Sequence, residues 1–261
     1  MYKIILSVLL VLSAACSSPR PAADTIVTNA RVYTVNADEP WAEAVAVRDG
    51  RILAVGSAKN ISRHKGGGTK IVDAGGRLVL PGFADSHVHF VSGSLNLADI
   101  DLAGAKTLSE IQGRIRTFVE AGPQADWIQG RGWMYPAFPD NMPHKKLLDD
   151  VVSDRPAFMR CADGHSSWVN SRALALAGID CSTKDPANGR IVRDPSGEPT
   201  GALLEEASSL VSRFIPEPTP EETLASLRRG LAEAARRGVV RVRGLGGEFE
   251  ALDLLGKLRD E

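Results

Sequence analysis

Leu78-Val79-Leu80-Pro81-Gly82-Phe83-Ala84-Asp85-Ser86-His87-Val88-His89-Phe90 is the stretch that decides the fold. After the Pro-Gly break, an apolar run ends in two histidines spaced two apart. Side chains of a strand alternate between its faces, so His87 and His89 point to the same side. Two imidazoles at that spacing can bind one metal ion, and packing does not explain such a strand end. His64 and His144 have no such neighbour and read as ordinary structural histidines.

The chain changes character across Pro81-Gly82. From Asp24 to Leu80, short β-rich runs are broken by turn residues: Ile26-Val27, Val32 to Val35, Ala44 to Val47, Arg51 to Val55, Ile71 to Asp73 and Leu78 to Leu80. Asp49-Gly50 sits between two of them and signals a hairpin, because both residues tolerate positive φ. Residues 24–80 are therefore expected to form a small antiparallel β module.

Beyond the break, helical and strand-like segments alternate, as in an α/β domain. Thr107-Leu108-Ser109-Glu110 is a capping box that opens a helix through Ala121, closed by Gly122-Pro123. Thr219-Pro220-Glu221-Glu222 opens another, with Leu224, Leu227 and Leu231 along one face until Gly238. Val239 to Val242 then reads as a strand and Glu248 to Arg259 as a helix, giving one repeat unit of a parallel α/β fold.

Composition narrows the function. Of 261 residues, 43% are hydrophobic and 24% charged, an ordinary globular balance. With 31 basic and 32 acidic residues and no basic stripe, nothing draws the chain to nucleic acid. The N-terminus reads as a targeting segment: Lys3, an apolar stretch Ile4 to Leu12, then Ser13-Ala14-Ala15 before Cys16. That stretch is too short to cross a ~30 Å hydrocarbon core as a helix. Small residues before a cysteine resemble a bacterial lipobox, which implies a signal peptide over 1–15, acylation at Cys16 and a tether over 16–23. Export would place the chain on the periplasmic or cell-surface face of a bacterial membrane, and ordinary secretory cleavage is the alternative. Cys161 and Cys181 match no zinc-ribbon or CxxC spacing and read as two thiols.

The stretch Pro81 to His89 resembles the first barrel strand of the amidohydrolase superfamily. Trp41 to Arg51 resembles the β-sandwich strands that precede it. Asp163-Gly164-His165-Ser166-Ser167-Trp168-Val169-Asn170 and Gly197 to Glu205, with its Thr200-Gly201-Ala202-Leu203-Leu204-Glu205, resemble the family-3, or YtcJ-like, branch. The resemblance implies an α/β fold: a small N-terminal β-sandwich, then an incomplete (β/α)8 barrel of the TIM type with chemistry at the carboxyl ends of its strands. It implies a hydrolase acting on carbon–nitrogen bonds other than peptide bonds, with a divalent cofactor, by default one or two Zn2+ ions. His87 and His89 would be metal ligands, Glu205 would take a bridging position, and His165 would contact a substrate carbonyl or oxyanion. The implied substrate is a small amide-type molecule.

The chain departs from the branch in two ways. None of its five histidines lies beyond His165, although the family pattern has later ones. Gly238-Val239-Val240-Arg241-Val242-Arg243-Gly244 stands where the branch has Gly-Val-Thr-Ser-Val-His-Asp. Residues 81–261 are thus expected to build the first half of a barrel, with strand edges open to a second polypeptide. Three readings stay open: the N-terminal part of a hydrolase, a non-catalytic relic, and a lipid-anchored binding protein.

Overall fold

A computed structural model of the chain describes residues 21–122, 125–244 and 251–260. The expected signal peptide, Cys16, most of the tether, Pro123 and the start of the helix expected at Glu248 lie outside these residues. The chain divides into two compact units, the first ending at Gly82 and the second running Phe83–Glu261.

The first unit holds strands β1 (Thr25–Thr28), β2 (Arg31–Tyr33), β3 (Trp41–Ala42), β4 (Ala44–Arg48) and β5 (Arg51–Gly56). A short helix α1 (Ala58–Ile61) and strands β6 (Lys70–Asp73) and β7 (Leu78–Val79) follow. They form a four-stranded sheet, β5-β4-β1-β6, and a three-stranded one, β3-β2-β7. Asp49 and Gly50 both take positive φ, 51° and 69°, in the hairpin between β4 and β5. The module is not purely antiparallel, because β1 pairs with β6 and β2 with β7 in parallel. The connections from β1 to β6 and from β2 to β7 are long enough to return the chain in its original direction. Ile26, Ala44, Ala46 and Ile61 form one core cluster, and Ala30, Val32 and Val45 another.

The second unit is mixed α/β. It opens with β8 (Phe83–Val88), α2 (Phe90–Leu95), β9 (Ile100–Asp101), α3 (Leu108–Glu120) and β10 (Ile128–Trp133). Then come α4 (Lys145–Asp149), β11 (Ala157–Cys161), β12 (Ser166–Val169), α5 (Ser171–Leu176) and β13 (Gly189–Arg193). It closes with β14 (Pro199–Glu205), α6 (Ser209–Ser212), α7 (Pro220–Arg236), β15 (Val239–Gly244) and α8 (Leu252–Asp260). Both expected capping threonines act as such: Thr107 accepts from the Glu110 amide, and Thr219 forms a full box with Glu222.

Where the sequence reading expects half of a barrel, the described residues pair two strands, β8 and β15, in parallel as neighbouring barrel strands are. The strands between them form a separate six-stranded sheet in the order β13-β14-β12-β11-β10-β9. Its β9, β10 and β11 are parallel, and β11, β12, β14 and β13 are joined antiparallel. Alternation along these strands sends Ile128, Met159 and Trp168 to one core and Phe158, Val169 and Leu203 to another. The hairpins are invisible to a reading built on helix-strand alternation, because apolar runs covered on both faces carry no period that marks direction.

Helix α7 buries Ser226, Leu227 and Gly230, while Leu231 of the expected stripe is exposed. Gly230 is what allows the close approach to α2: a Cβ there would collide with Ser94 and touch Phe90. Among the described residues, no helix is long and apolar enough to cross a membrane.

Candidate functional site

His87 is the next-to-last residue of strand β8, and His89 is the residue from which α2 starts. Their rings face one another at 6.2 Å between centres, inclined at 71°. Both side chains are exposed, and neither ring meets a hydrogen-bond partner among the described residues. The His87 amide donates to Asp85 Oδ1 at 3.0 Å, so the aspartate of the same motif holds the backbone just before the histidines. Two unengaged imidazoles side by side fit a divalent metal in donor type. Among the described residues, however, no group of three or more His, Cys, Asp or Glu side chains is assembled to hold one.

His165 and Glu205 come together at a second place. They lie 40 residues apart in sequence, and Glu205 Oε2 sits 3.0 Å from His165 Nδ1. The Glu205 amide also donates to the His165 carbonyl at 2.7 Å, extending the β12–β14 ladder by one bond. Hydrogen bonding to the Glu205 carboxylate raises the His165 pKa above its ordinary value, with the carboxylate's charge adding to it. Glu205, expected as a bridging metal ligand, is therefore engaged by His165 among the described residues. Its backbone is unusual, with φ 51° and ψ −128° at the end of β14. A non-glycine residue held in such a region costs on the order of 1–3 kcal/mol.

The surroundings of this pair belong to the carboxyl edge of the parallel strands. The His165 amide donates to Asp163 Oδ1 at 2.8 Å, fixing the turn that leads into β12. Burial pushes the Asp163 carboxyl up, but hydrogen bonds from the His165 amide, the Cys161 thiol and Tyr135 outweigh it and leave it below the usual range. Tyr135 and Ser166 share a hydrogen bond of 2.5 Å, and burial pushes the Tyr135 phenol up. Cys161 is buried, and its thiol is pushed up to about 11. Cys181 is exposed, and both cysteines are free.

The rest of the Asp163 to Asn170 motif is architecture. Trp168 is fully buried, edge-on to Phe138, and its indole N–H donates to the His144 carbonyl at 3.1 Å. Asn170, also fully buried, accepts from the Ala157 and Ala173 amides and donates to the Val152 and Arg155 carbonyls. His144 accepts from the Lys146 amide at the start of α4, which agrees with its reading as a structural residue. Sequence reasoning missed Tyr135, which stands in no motif. Asp163 lay inside the motif, and its spacing of two before His165 is the Asx-turn signal that would have found it.

Known proteins are similar to this chain in sequence and in fold. The sequence profile of the amidohydrolase family matches residues 70–261. LONG AFTER FAR-RED 3 of Arabidopsis thaliana is 37% identical over 227 residues, which are 87% of this chain and 39% of that protein. An N-substituted formamide deformylase of Arthrobacter pascens is 34% identical over 194 residues, 72% of this chain and 35% of that enzyme. The crystal structure of an uncharacterized metal-dependent hydrolase from Pyrococcus horikoshii superimposes with a TM-score of 0.60 at 25% identity, covering 90% of this chain and 46% of the other. The chain thus spans less than half the length of each of these three proteins. With the profile running from β6 to the last residue and over the His87, His165 and Glu205 positions alike, the chain belongs to the amidohydrolase family.

Proposed function

We propose that this chain is the N-terminal portion of a metal-dependent amidohydrolase that cleaves a carbon–nitrogen bond other than a peptide bond in a small amide-type substrate. The observation that carries the reading is the pair of unengaged imidazoles, His87 and His89, at the carboxyl end of a parallel strand. In this reading, residues 24–80 are the β-sandwich domain, and β8, α7, β15 and α8 begin a (β/α)8 barrel. The remaining wall strands and metal ligands come from further chain or from a second polypeptide. Export and acylation of Cys16 would anchor the protein at the periplasmic or cell-surface face of a bacterial membrane.

His87 and His89 would hold the metal, with Zn2+ suited to imidazole donors. When bound there, the ion would supply water activated near neutral pH and Lewis-acid polarisation of a carbonyl oxygen. The chain's own part is orientation. Asp85 fixes the backbone at His87, and Asp163, through the His165 amide, fixes the turn that carries the His165 ring toward solvent. His165 is the substrate-facing group of this reading. The deformylase among the relatives supports a carbon–nitrogen target.

Calorimetric titration of the chain with Zn2+ tests the proposal. Saturable uptake is expected, weakened at least about tenfold by His87→Ala and by His89→Ala, since each removes one of the two ligands this chain supplies. Uptake unchanged by both substitutions removes the metal site. It also moves the chain to the non-catalytic readings.

A further inference from the structure

The strain at Glu205 is not offset by its ion pair. The two side chains of the His165–Glu205 pair are 68% and 58% exposed, and an ion pair so open to water adds little to folding. Yet the backbone is pinned into place from both sides. The Glu205 amide bonds the His165 carbonyl, and the Glu206 amide bonds the Asn188 carbonyl at 3.2 Å. Gly189 packs so tightly on this turn that a Cβ would collide with the Ala207 and Glu206 amides. Three stretches of chain, at His165, at Asn188-Gly189 and at Glu205 to Ala207, thus fix the backbone that carries the carboxylate to the ring nitrogen. Non-glycine residues kept in sparsely populated backbone regions cluster at working sites.

A carboxylate on Nδ1 dictates which nitrogen of a histidine is left for use, because the hydrogen bond made by one sets the role of the other. Here Nδ1 is taken, and Nε2 meets no partner among the described residues. The pair sits at the carboxyl edge of β9, β10 and β11, where sheets of this kind bind ligands. We propose that Glu205 is a positioning residue for His165 rather than a metal ligand: it takes Nδ1–H and presents Nε2 to the amide nitrogen of the substrate. The inference rests on the hydrolase reading above and names the group that serves the departing nitrogen.

The step balances without further reagents. Once water has added to the amide carbonyl, the doubly protonated ring gives its Nε2 proton to the substrate nitrogen. The new N–H bond forms as the carbon–nitrogen bond breaks, and that bond's electron pair goes to the nitrogen. The ring keeps Nδ1–H on Glu205, and the proton that the carbonyl product sheds from the added water returns to Nε2. Holding the ring by Nδ1 keeps Nε2 aimed in both protonation states.

Nitrogen-15 NMR of the histidine side chains in the 261-residue chain tests this without any substrate or metal. Neutral His165, assigned by its loss in His165→Gln, is expected as the Nδ1–H tautomer. Glu205→Gly tolerates the backbone and lacks the carboxylate, so the ring should pass to the Nε2–H tautomer while the unfolding midpoint stays level or rises. An unchanged tautomer in Glu205→Gly, or a lowered midpoint, overturns the inference, the latter by making Glu205 structural. Added Zn2+ separates the two proposals. Shifts confined to His87 and His89 support both, no shift at those two removes the metal site and leaves the pair standing, and loss of the His165 Nδ1–H signal with the first equivalent makes Glu205 a ligand and overturns the inference.

Discussion

The strands of the six-stranded sheet send core residues to both faces, Met159 and Trp168 to one side and Phe158, Val169 and Leu203 to the other. The β8–β15 pair, in the same unit, buries no side chain of either strand, and its Phe83 and Val240 are 55% and 74% exposed. Parallel strands are ordinarily covered on both faces, so the bare pair is the unusual one. Helix α7 covers it in part, and the exposed Leu231 on that helix repeats the pattern. The difference teaches where the chain is self-sufficient. The mixed sheet is a finished core that positions His165 and Glu205, whereas the pair carrying His87 is open to the further strands that the barrel reading requires.

The largest effect is expected in the finished sheet. Trp168→Ala removes a fully buried indole that packs against Phe138 and satisfies the His144 carbonyl. Loss of such a side chain costs about 3–5 kcal/mol. Urea denaturation followed by circular dichroism should find the variant largely unfolded or aggregated. A loss below about 1 kcal/mol, well short of that range, would mean that this sheet is no better packed than the pair.

An intermediate effect is expected where α7 seats on α2, the contact that ties the strand pair to its helices. Gly230→Ala forces a methyl into Ser94 and should cost about 1–3 kcal/mol by overpacking. At Gly93, within α2, an added methyl would meet nothing within 4 Å, so Gly93→Ala should instead stabilise by up to about 1 kcal/mol through helix propensity. Opposite signs in the two melting curves are the expected result. The same sign in both would show that the helix contact is loose.

What the sequence disclosed of this comparison follows locality. The His87-Val88-His89 spacing, the Thr107 and Thr219 caps and the Asp49-Gly50 hairpin are each decided within a few residues, and each was legible. The pairing of His165 with Glu205 spans 40 residues and depends on β12 lying beside β14, which no local signal encodes. The same holds for the β11–β12 reversal: Ala157 to Met159 and Ser166 to Val169 are buried runs whose direction is set by their partners. Trp168 and Asn170 illustrate a second obscurity. The motif around His165 is filled out by residues whose work is burial and hydrogen bonding, and residue type alone does not separate them from an exposed histidine.

The smallest effect on stability, and the sharpest on surface behaviour, is expected in the bare pair. Phe83→Ser with Val240→Ser removes apolar area that already faces water, so the unfolding free energy should change by no more than about 0.5 kcal/mol. The same double variant should bind less of a hydrophobic dye and associate less in sedimentation, because contiguous exposed apolar surface drives both. A stability loss above about 2 kcal/mol would mean that the strands are covered in solution, by a second copy if sedimentation of the parent chain is concentration-dependent and by its own helices if it is not. Near-neutral stability with reduced association would instead leave β8 and β15 as a docking edge that this chain presents but does not fill, which is the physical requirement for a barrel completed by further strands.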